Sequence, residues 1–471
     1  MLMGAYPFSM SRVGTVLVLA ALLAACSSPA PAPPAQESTR PTVTPSAAPA
    51  TPEPTVPLAL VVHHSRDEVR ISSAALEEVR AGRVTDWAAL DQPAGTMTLA
   101  VGSPREAIDR VTREPGTAAL VPATTVDERV RVAVVDGIHP LRTPDDYPHR
   151  VAAAAPPPAV TNVTITGDIM LGRRVGRAYA GTPRAPFEPF AERLAAADIT
   201  IGNFEATLSD NGRATQGGDS FHADPEVLEG LRVAGFDAVS LANNHLGDYG
   251  DRAMLETFEA FDAAGIARFG AGRTLAEARA PWVTEHNGIR IAFLGTESIG
   301  ETPAATDARP GTNRLNMPPR TGPLDSAALE RIATDIDAAG READVVIVIP
   351  HWGTQYTHRP EDSQRQVAER FADAGADLII GGHPHWVQGW DAIGDTTVVH
   401  SLGNFIFDMQ FSRQVQEGVF VEIVLWGDRV VAVEPVPYVI RDHIPRPAEG
   451  AAADRILGEM RSTSTGPYPA G

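Results

Sequence analysis

The stretch VTNVTITGDIMLGRR, Val160 to Arg174, places an acidic residue at the end of a strand. Apolar residues alternate with small polar ones from Val160 onward, a period of two that is typical of a β-strand. Asp168 closes this run, and ligand groups in open α/β sheets lie beyond the carboxyl ends of the strands. The stretch therefore predicts an α/β fold in which Asp168 lies at a ligand-binding edge.

Four further segments repeat this arrangement of an apolar run followed by polar side chains. They are ADITIGNFEATL (197–208), FDAVSLANNHLGDYG (236–250), ADVVIVIPHWGTQY (343–356) and ADLIIGGHPHWVQG (376–389). The polar residues at their ends are Asn203, Glu205, Asn243, Asn244, His245, His351, His383 and His385. A single Asp, Asn or His in such a place is most often a turn, a helix cap or a hydrogen-bonded structural residue. Five strand ends of this kind predict one shared site.

The side chains at these strand ends are typical of a metal site. Carboxylate, amide and imidazole donors suit manganese, iron or zinc, and the single cysteine, Cys26, lies far away near the N-terminus. In His383-Pro384-His385 the period of an extended segment turns both rings to the same side, and the proline stiffens the spacing. Two imidazoles could then reach two adjacent ions bridged by a carboxylate, an arrangement used in phosphoryl displacement.

The N-terminal residues predict a lipid anchor and a tether. The apolar run VGTVLVLAALLAAC, Val13 to Cys26, is too short to span a membrane and is typical of a signal peptide over residues 1–26. Its end, LAAC, resembles a bacterial lipobox and predicts lipidation of Cys26; a coincidental cysteine is the alternative. Residues 27–57 are rich in Pro, Ala, Ser and Thr and cannot bury a core. The folded part is expected outside the cytoplasm, anchored to the bacterial cell membrane.

Charge and composition divide the rest of the chain. Asp and Glu number 59 against 39 Lys and Arg, without a dense basic stripe, which argues against a nucleic-acid partner. Residues 58–150 alternate short strand-like and helical runs and predict a small α/β domain, followed by the linker AAAAPPPA (152–159). Residues 160–443 form the predicted main domain, and residues 444–471 a C-terminal tail.

The small domain contains one segment with a recognisable relative. LEEVRAGRVTDW, Leu76 to Trp87, resembles a segment of periplasmic phosphate-binding proteins. The domain has about half the length of such a two-lobed protein. It therefore corresponds to half of that fold, and its length favours a packing or spacer role over a ligand site.

Six motifs of the main domain, in this order, resemble the CapA family of poly-γ-glutamate capsule biosynthesis proteins. They are GDIMLGR, NFEATL, NNH, PHWG, GGHPHWVQG and HSLGNFIFD (400–408). That family is similar to the calcineurin-like metallophosphoesterases, and the resemblance covers about residues 160–443. It implies a four-layer α/β/β/α metallophosphoesterase-like sandwich with two divalent ions between the loop ends of its two sheets.

The resemblance also implies roles for individual residues. Asp168 corresponds to the first aspartate ligand and Glu205 to the bridging carboxylate. The other ligands that it implies are Asn244, His351 and His383 for the second ion and His385 for the first. His245 stands where a phosphoesterase keeps the acid that protonates the leaving group.

Met170 marks a departure from the larger superfamily, which has histidine two residues after the first aspartate. A thioether is a poor ligand for these ions, so the first ion lacks one protein ligand. Either Asn203 or a water takes that place, or one of the two sites is weak. Arg173 follows the metal loop, where a guanidinium could grip an anionic substrate, and a solvated helix start is the alternative. Asn404 either touches the site or belongs to a Gly-Asn turn.

Two functions are consistent with these features. One is a metal-dependent hydrolase of phosphate ester or related bonds in the cell envelope. The other is a non-catalytic assembly or export factor for an anionic capsule polymer, working with capsule or polyglutamate synthesis machinery. The chemistry of the site favours the enzyme, and the family name favours assembly.

Overall fold

The computed structural model describes residues 53–66 and 68–468. The predicted signal peptide, Cys26 and nearly all of the predicted tether lie outside the described residues. Within these two ranges, no helix combines the length and the apolar character needed to cross a membrane.

The secondary structure alternates strands and helices along most of the chain. The strands are β1 Thr55–His63, β2 Arg70–Ile71, β3 Thr98–Leu99, β4 Thr117–Pro122, β5 Val130–Val132, β6 Val134–Val135, β7 Arg150–Ala152, β8 Val160–Ile169, β9 Ile199–Phe204, β10 Ala238–Ser240, β11 Ala267–Phe269, β12 Ala271–Gly272, β13 Trp282–His286, β14 Ile289–Glu297, β15 Gly311–Thr312, β16 Val345–His351, β17 Leu378–Ile380, β18 Trp390–Ile393, β19 Thr396–Val399, β20 Asn404–Ile406, β21 Glu417–Trp426, β22 Arg429–Arg441 and β23 Ile444–Pro447. The α-helices are α1 Ser73–Arg80, α2 Pro104–Arg113, α3 Arg173–Ala178, α4 Ala191–Ala195, α5 Leu228–Val233, α6 Gly250–Ala264, α7 Leu275–Arg279, α8 Ser326–Ala339, α9 Asp362–Asp373 and α10 Ala451–Arg461.

Two sheets form the centre of the main domain. The first has the strand order β11-β10-β9-β8-β21-β22-β23, with β20 paired to the end of β8. The second has the order β13-β14-β16-β17-β19-β18. Strands β8 to β11 are parallel in the first sheet, as are β14, β16, β17 and β19 in the second. Each sheet therefore brings the carboxyl ends of several strands to one edge.

The side chains of β16 show how the layers are arranged. Val345 and Ile347 point into the core shared by the two sheets, whereas Val346 and Val348 pack with α8 and α9 on the outer face. Because a strand alternates its side chains between its two faces, an unbroken apolar strand is buried on both sides. On the other side, α5 and α6 pack on the first sheet. The predicted α/β/β/α sandwich is confirmed.

The small sheet has the strand order β3-β4-β1-β5, with β7 also paired to β1. Its core continues into the main domain, because Val424 and Trp426 of β21 pack with small-domain side chains. The Trp426 indole N–H donates to the carbonyl of Leu141 at 2.7 Å. The two domains therefore share an apolar contact.

The residues after His443 also belong to the packed structure. Strand β23 pairs with β22, and α10 buries Ile456 and Met460 in the core between the two sheets. The ring of Tyr468 lies 4.7 Å from that of His64, on the small domain. The segment predicted as a C-terminal tail thus completes one end of the sandwich.

Candidate metal centre

Strands of both sheets bring the predicted ligands to one edge. The first sheet supplies Asp168 at the end of β8, Glu205 after β9, and Asn244 and His245 after β10. The second sheet supplies His351 at the end of β16, and His383 and His385 after β17. All of these side chains are buried. Residues separated by up to 217 positions in sequence thus face one another across the gap between the sheets.

Asp168, Glu205 and His385 form a group that could hold a metal ion. Their candidate ligand atoms all lie within 4.8 Å of one another. Both carboxylate oxygens of Glu205 are buried and have no hydrogen-bond partner among the described residues. A buried carboxylate without a partner is costly, and a divalent cation between these donors removes that cost. The donor set therefore fits a metal.

A second set of donors also lies close to Glu205. His351 Nε2 is 3.8 Å from Glu205 Oε1 and 2.9 Å from Asn244 Oδ1. The ring centroid of His383 lies 4.9 Å from that of His351. Neither ring nitrogen of His383 has a hydrogen-bond partner in the described part of the chain. Glu205 thus lies near members of both sets, and its bridging position stays a prediction.

Burial displaces the protonation equilibria of this centre. It raises the pKa of Asp168 to about 6, although hydrogen bonds from Asn203 and the His383 N–H act in the opposite direction. It raises the pKa of Glu205 well above its ordinary value, and the charges of Asp168 and Asp248 add to the increase. It lowers the pKa of His385 to about 4. Without a cation, the site therefore favours neutral side chains.

The backbone of the His383-Pro384-His385 segment differs from the predicted extended form. His383 has φ of 94° and His385 has φ of 58°, so the prediction of a period-two segment is wrong. Positive φ is strained for a residue with a side chain. A Cβ atom on Gly382 would lie 2.7 Å from Asp168 Oδ1. The backbone passes close to this carboxylate here, and the His383 N–H donates to Asp168 Oδ2 at 3.1 Å.

Two asparagines hold ligands in place. The Asn203 side-chain N–H donates to Asp168 Oδ1 at 2.8 Å, while its own oxygen accepts from Asn243 at 3.1 Å. Asn404 Oδ1 lies 2.8 Å from His385 Nδ1 and can accept a hydrogen bond from it. The same ring nitrogen lies 3.7 Å from Asp168 Oδ2, so Asn404 holds the His385 ring beside the carboxylate.

Met170 takes no part in this group. Its side chain is fully buried among apolar residues, and its sulfur accepts a hydrogen bond from the Gly172 N–H at 3.1 Å. The thioether therefore packs below the metal loop and leaves the position of the superfamily histidine without a donor.

His245 is held by a neighbour that the sequence analysis did not select. Asp248 Oδ2 lies 2.8 Å from His245 Nδ1, and the Phe221 ring stacks on the imidazole with centroids 3.6 Å apart. Gln216 donates to the other oxygen of Asp248 at 2.6 Å. His245 Nε2 then lies 3.7 Å from Glu205 Oε1. Histidine and aspartate three residues apart, in NNHLGD, are the signal that could have identified this pair.

Arg173 is already engaged by an acidic side chain. Its guanidinium forms a bidentate pair with Asp408, the last residue of HSLGNFIFD, and lies 4.3 Å above the Phe221 ring. Asp408 is 4% exposed at its side chain. Arg173, the residue predicted to bind an anionic substrate, thus connects Asp408 after β20 to Phe221, the ring that stacks on His245.

Comparison with known proteins places this site in a family. The family model described as Bacterial capsule synthesis protein PGA_cap matches residues 162–409, which is more than half of the 471-residue chain. The chain belongs to this family. The predicted resemblance to CapA proteins is confirmed, and every predicted ligand lies inside the matched PGA_cap range.

Two curated relatives extend the PGA_cap match. The capsule biosynthesis protein CapA of Bacillus anthracis is 32% identical over 313 residues, covering 64% of this chain and 74% of that protein. The PGA biosynthesis protein CapA of Bacillus subtilis (strain 168) is 31% identical over 295 residues, covering 62% and 74%. A crystal structure of a hypothetical protein from Thermus thermophilus aligns with 59% of this chain and 99% of its own, at 18% identity and a TM-score of 0.36. PGA_cap membership links the chain to capsule and poly-γ-glutamate biosynthesis.

Proposed function

We propose that this PGA_cap protein is a metal-dependent hydrolase of phosphate esters or related bonds, attached through Cys26 to the outer face of the bacterial cell membrane. The observation that carries the proposal is Glu205, whose two buried oxygens have no hydrogen-bond partner among the described residues. It lies within reach of donors from both sheets. A carboxylate in this setting needs cations.

The two sets of donors near Glu205 support two ions. Asp168 and His385 belong to the first set, and Asn244, His351 and His383 to the second. Divalent ions held there would activate water and stabilise negative charge on a phosphoryl group. Oxygen and nitrogen donors without sulfur suit manganese, iron or zinc. The first site has fewer protein ligands because Met170 occupies the position of a histidine.

His245 supplies the acid in this scheme. Asp248 accepts from Nδ1, which orients the ring so that Nε2 faces Glu205. A proton on Nε2 is therefore available to the leaving oxygen of an ester. Phe221 covers the ring and limits its movement.

The second candidate function is assembly or export of an anionic capsule polymer without catalysis. Family membership favours it, since the two CapA relatives are described by capsule and PGA biosynthesis. In that case the metal site binds the polymer and His245 has no chemical role. The partners are then the synthesis machinery of the polymer and the membrane.

Elemental analysis followed by an activity screen tests the proposal. Protein purified without added metal is expected to contain two divalent ions per chain, and manganese-supplemented samples are expected to hydrolyse simple phosphate esters. Inactivity of every metal-loaded sample toward all esters would reject the hydrolase in favour of assembly. A metal content near zero that cannot be raised by reconstitution would reject both.

A further inference from the structure

A cleft of about 800 Å³ opens beside the metal centre. Its lining includes Arg174 and Arg177 of α3, together with Tyr356 and Phe411. The Tyr356 ring is stacked against His385, with centroids 5.9 Å apart and planes 25° apart. Tyr356 therefore lines the cleft and also packs against a predicted metal ligand.

The lining of the cleft carries one excess positive charge, because three arginines of α3 face two aspartates, Asp219 and Asp408. Arg173 is paired with Asp408 and lies near Asp219. Arg174 and Arg177 are exposed. Neither guanidinium forms an ion pair with a carboxylate of the described residues, in contrast to that of Arg173. They are three residues apart on one helix, a spacing that places them on the same face. Two free guanidinium groups beside a site for cations are unexpected in a chain of net charge −20.

The apolar wall of the cleft is equally unusual. Of the described residues, three large hydrophobic side chains are exposed, namely Val101, Tyr356 and Phe411. Two of these three meet at the cleft, with their rings edge to face and centroids 5.1 Å apart. Phe411 is 65% exposed. An exposed aromatic pair next to a polar site is typical of a binding surface.

We propose that this cleft binds the part of the substrate that extends away from the scissile bond, through a second anionic group on Arg174 and Arg177 and an apolar segment against Tyr356 and Phe411. The inference rests on the proposed hydrolase function and specifies its substrate as an extended molecule with at least two negative groups. Guanidinium groups suit carboxylate and phosphate through paired hydrogen bonds. A small phosphate monoester would leave this cleft empty.

Phosphonates with an ω-carboxyalkyl chain test this subsite, because their carbon–phosphorus bond is not hydrolysed. Binding to the manganese-loaded full chain is measured by calorimetry for a series of increasing chain length and for the corresponding methyl esters. At the length that spans the cleft, the free carboxylate is expected to bind roughly tenfold more tightly than its ester. Arg174→Ala/Arg177→Ala should abolish that difference, and Phe411→Ala should weaken the gain from added methylene groups.

The small domain offers a matched control. Arg105 and Arg113 of α2 are also exposed and lack an ion pair among the described residues, so Arg105→Ala/Arg113→Ala changes the net charge equally and should keep the tenfold difference. The subsite would be overturned if the free carboxylate did not increase the affinity of the phosphonate for the unmodified chain. It would also be overturned if that increase persisted in Arg174→Ala/Arg177→Ala. Arginine-dependent phosphonate binding without turnover of the matching phosphate esters would reject the hydrolase and retain the subsite. Failure of methylphosphonate itself to bind would reject both.

Discussion

Asp248 and His245 form a buried pair in which the carboxylate oxygen lies 2.8 Å from ring atom Nδ1. Because Nδ1 is engaged, Nε2 is the nitrogen that faces Glu205, at 3.7 Å. In the proposed mechanism this pair separates metal binding from proton transfer, since neither nitrogen of His245 has to bind an ion for the ring to act as an acid.

His245→Gln should keep the metal content while reducing turnover of esters with poor leaving groups by roughly a hundredfold or more. Asp248→Asn should have the same effect, smaller in size, because the ring loses the acceptor that sets its orientation and tautomer. Esters with good leaving groups need little protonation and should be affected far less. The measurements are metal per chain and rates for both ester classes.

Asp391→Asn is the matched control for that experiment. His400 Nε2 lies 2.7 Å from Asp391 Oδ2, in a second buried His–Asp pair outside the metal group. The variant should lose stability but keep the dependence of rate on the leaving group. Equal metal loss in His245→Gln and in a ligand variant would instead make His245 a ligand or a structural residue.

Glu205→Gln should remove metal and activity together. The amide lacks the negative charge that both sets of donors share, and the side chain is fully buried, so water cannot replace that charge. If Glu205 bridges two ions, the variant should retain after dialysis less than roughly half of the metal found in the unmodified chain. Full retention of two ions in this variant would contradict the bridging position.

Metal binding should strengthen with pH. In the metal-free protein the pKa of Asp168 is about 6, against about 3.9 in an unfolded chain. The folded state thus keeps a proton that the unfolded state releases, and the free energy of unfolding falls as pH rises from about 4 to about 6. Ion binding needs the ionised carboxylate, so the increase in melting temperature on adding manganese should be larger at about pH 7 than at about pH 5. His385, with a pKa of about 4, is neutral over this range and does not oppose it. An equal increase at both pH values would contradict this assignment.

Arg173→Ala should destabilise the protein by about 2 to 4 kcal/mol, because it leaves Asp408 buried without its cation. The Arg173 side chain is 23% exposed, which keeps the loss below that of a fully buried pair. Urea unfolding measures the effect. Arg174→Ala is the control and should change the free energy of unfolding by less than about 0.5 kcal/mol. Asp408→Asn combined with Arg173→Ala should recover part of the loss; unchanged stability of the single variant would show that the pair contributes nothing.

Cys26→Ser should release the chain from the membrane fraction. The proposal depends on LAAC and on the Pro-rich segment after it, and a diacylated cysteine suffices for stable anchoring. Cell fractionation and electrophoretic mobility measure the result, with Ser27→Ala as the control that should stay anchored. A Cys26→Ser protein that remains in the membrane with unchanged mobility would reject lipidation.

Much of the fold was predictable because its main signals are local. Apolar strands ending in Asp168, Glu205, His351 and His383 indicate a parallel α/β arrangement, since parallel strands bring their carboxyl ends to one edge. The strand β16 lacks polar residues altogether until its end, which is the pattern of a strand covered on both faces. These features depend on residue type and period, so no tertiary information was needed to recognise them.

The geometry of the site depended on contacts that are distant in sequence. The backbone at His383, which has positive φ, donates a hydrogen bond to Asp168, 215 residues earlier in the chain. The sequence predicts that Arg173 binds an anion, but in the folded chain its partner is Asp408, which lies 235 residues later in the sequence. The partner of a charged side chain and the rotation of an imidazole are set by whatever the tertiary packing brings near.

The sequence by itself determined the family, the layered α/β architecture and the kinds of donor atoms at the strand ends, because periodicity and residue chemistry are properties of short segments. Only the folded chain shows which ring nitrogen of His245 faces Glu205, which arginines lack an ion pair among the described residues, and that α10 and Tyr468 complete the core. The physical reason is that hydrogen-bond direction, ion pairing and burial are properties of pairs of groups, and only the folded chain determines which groups become pairs.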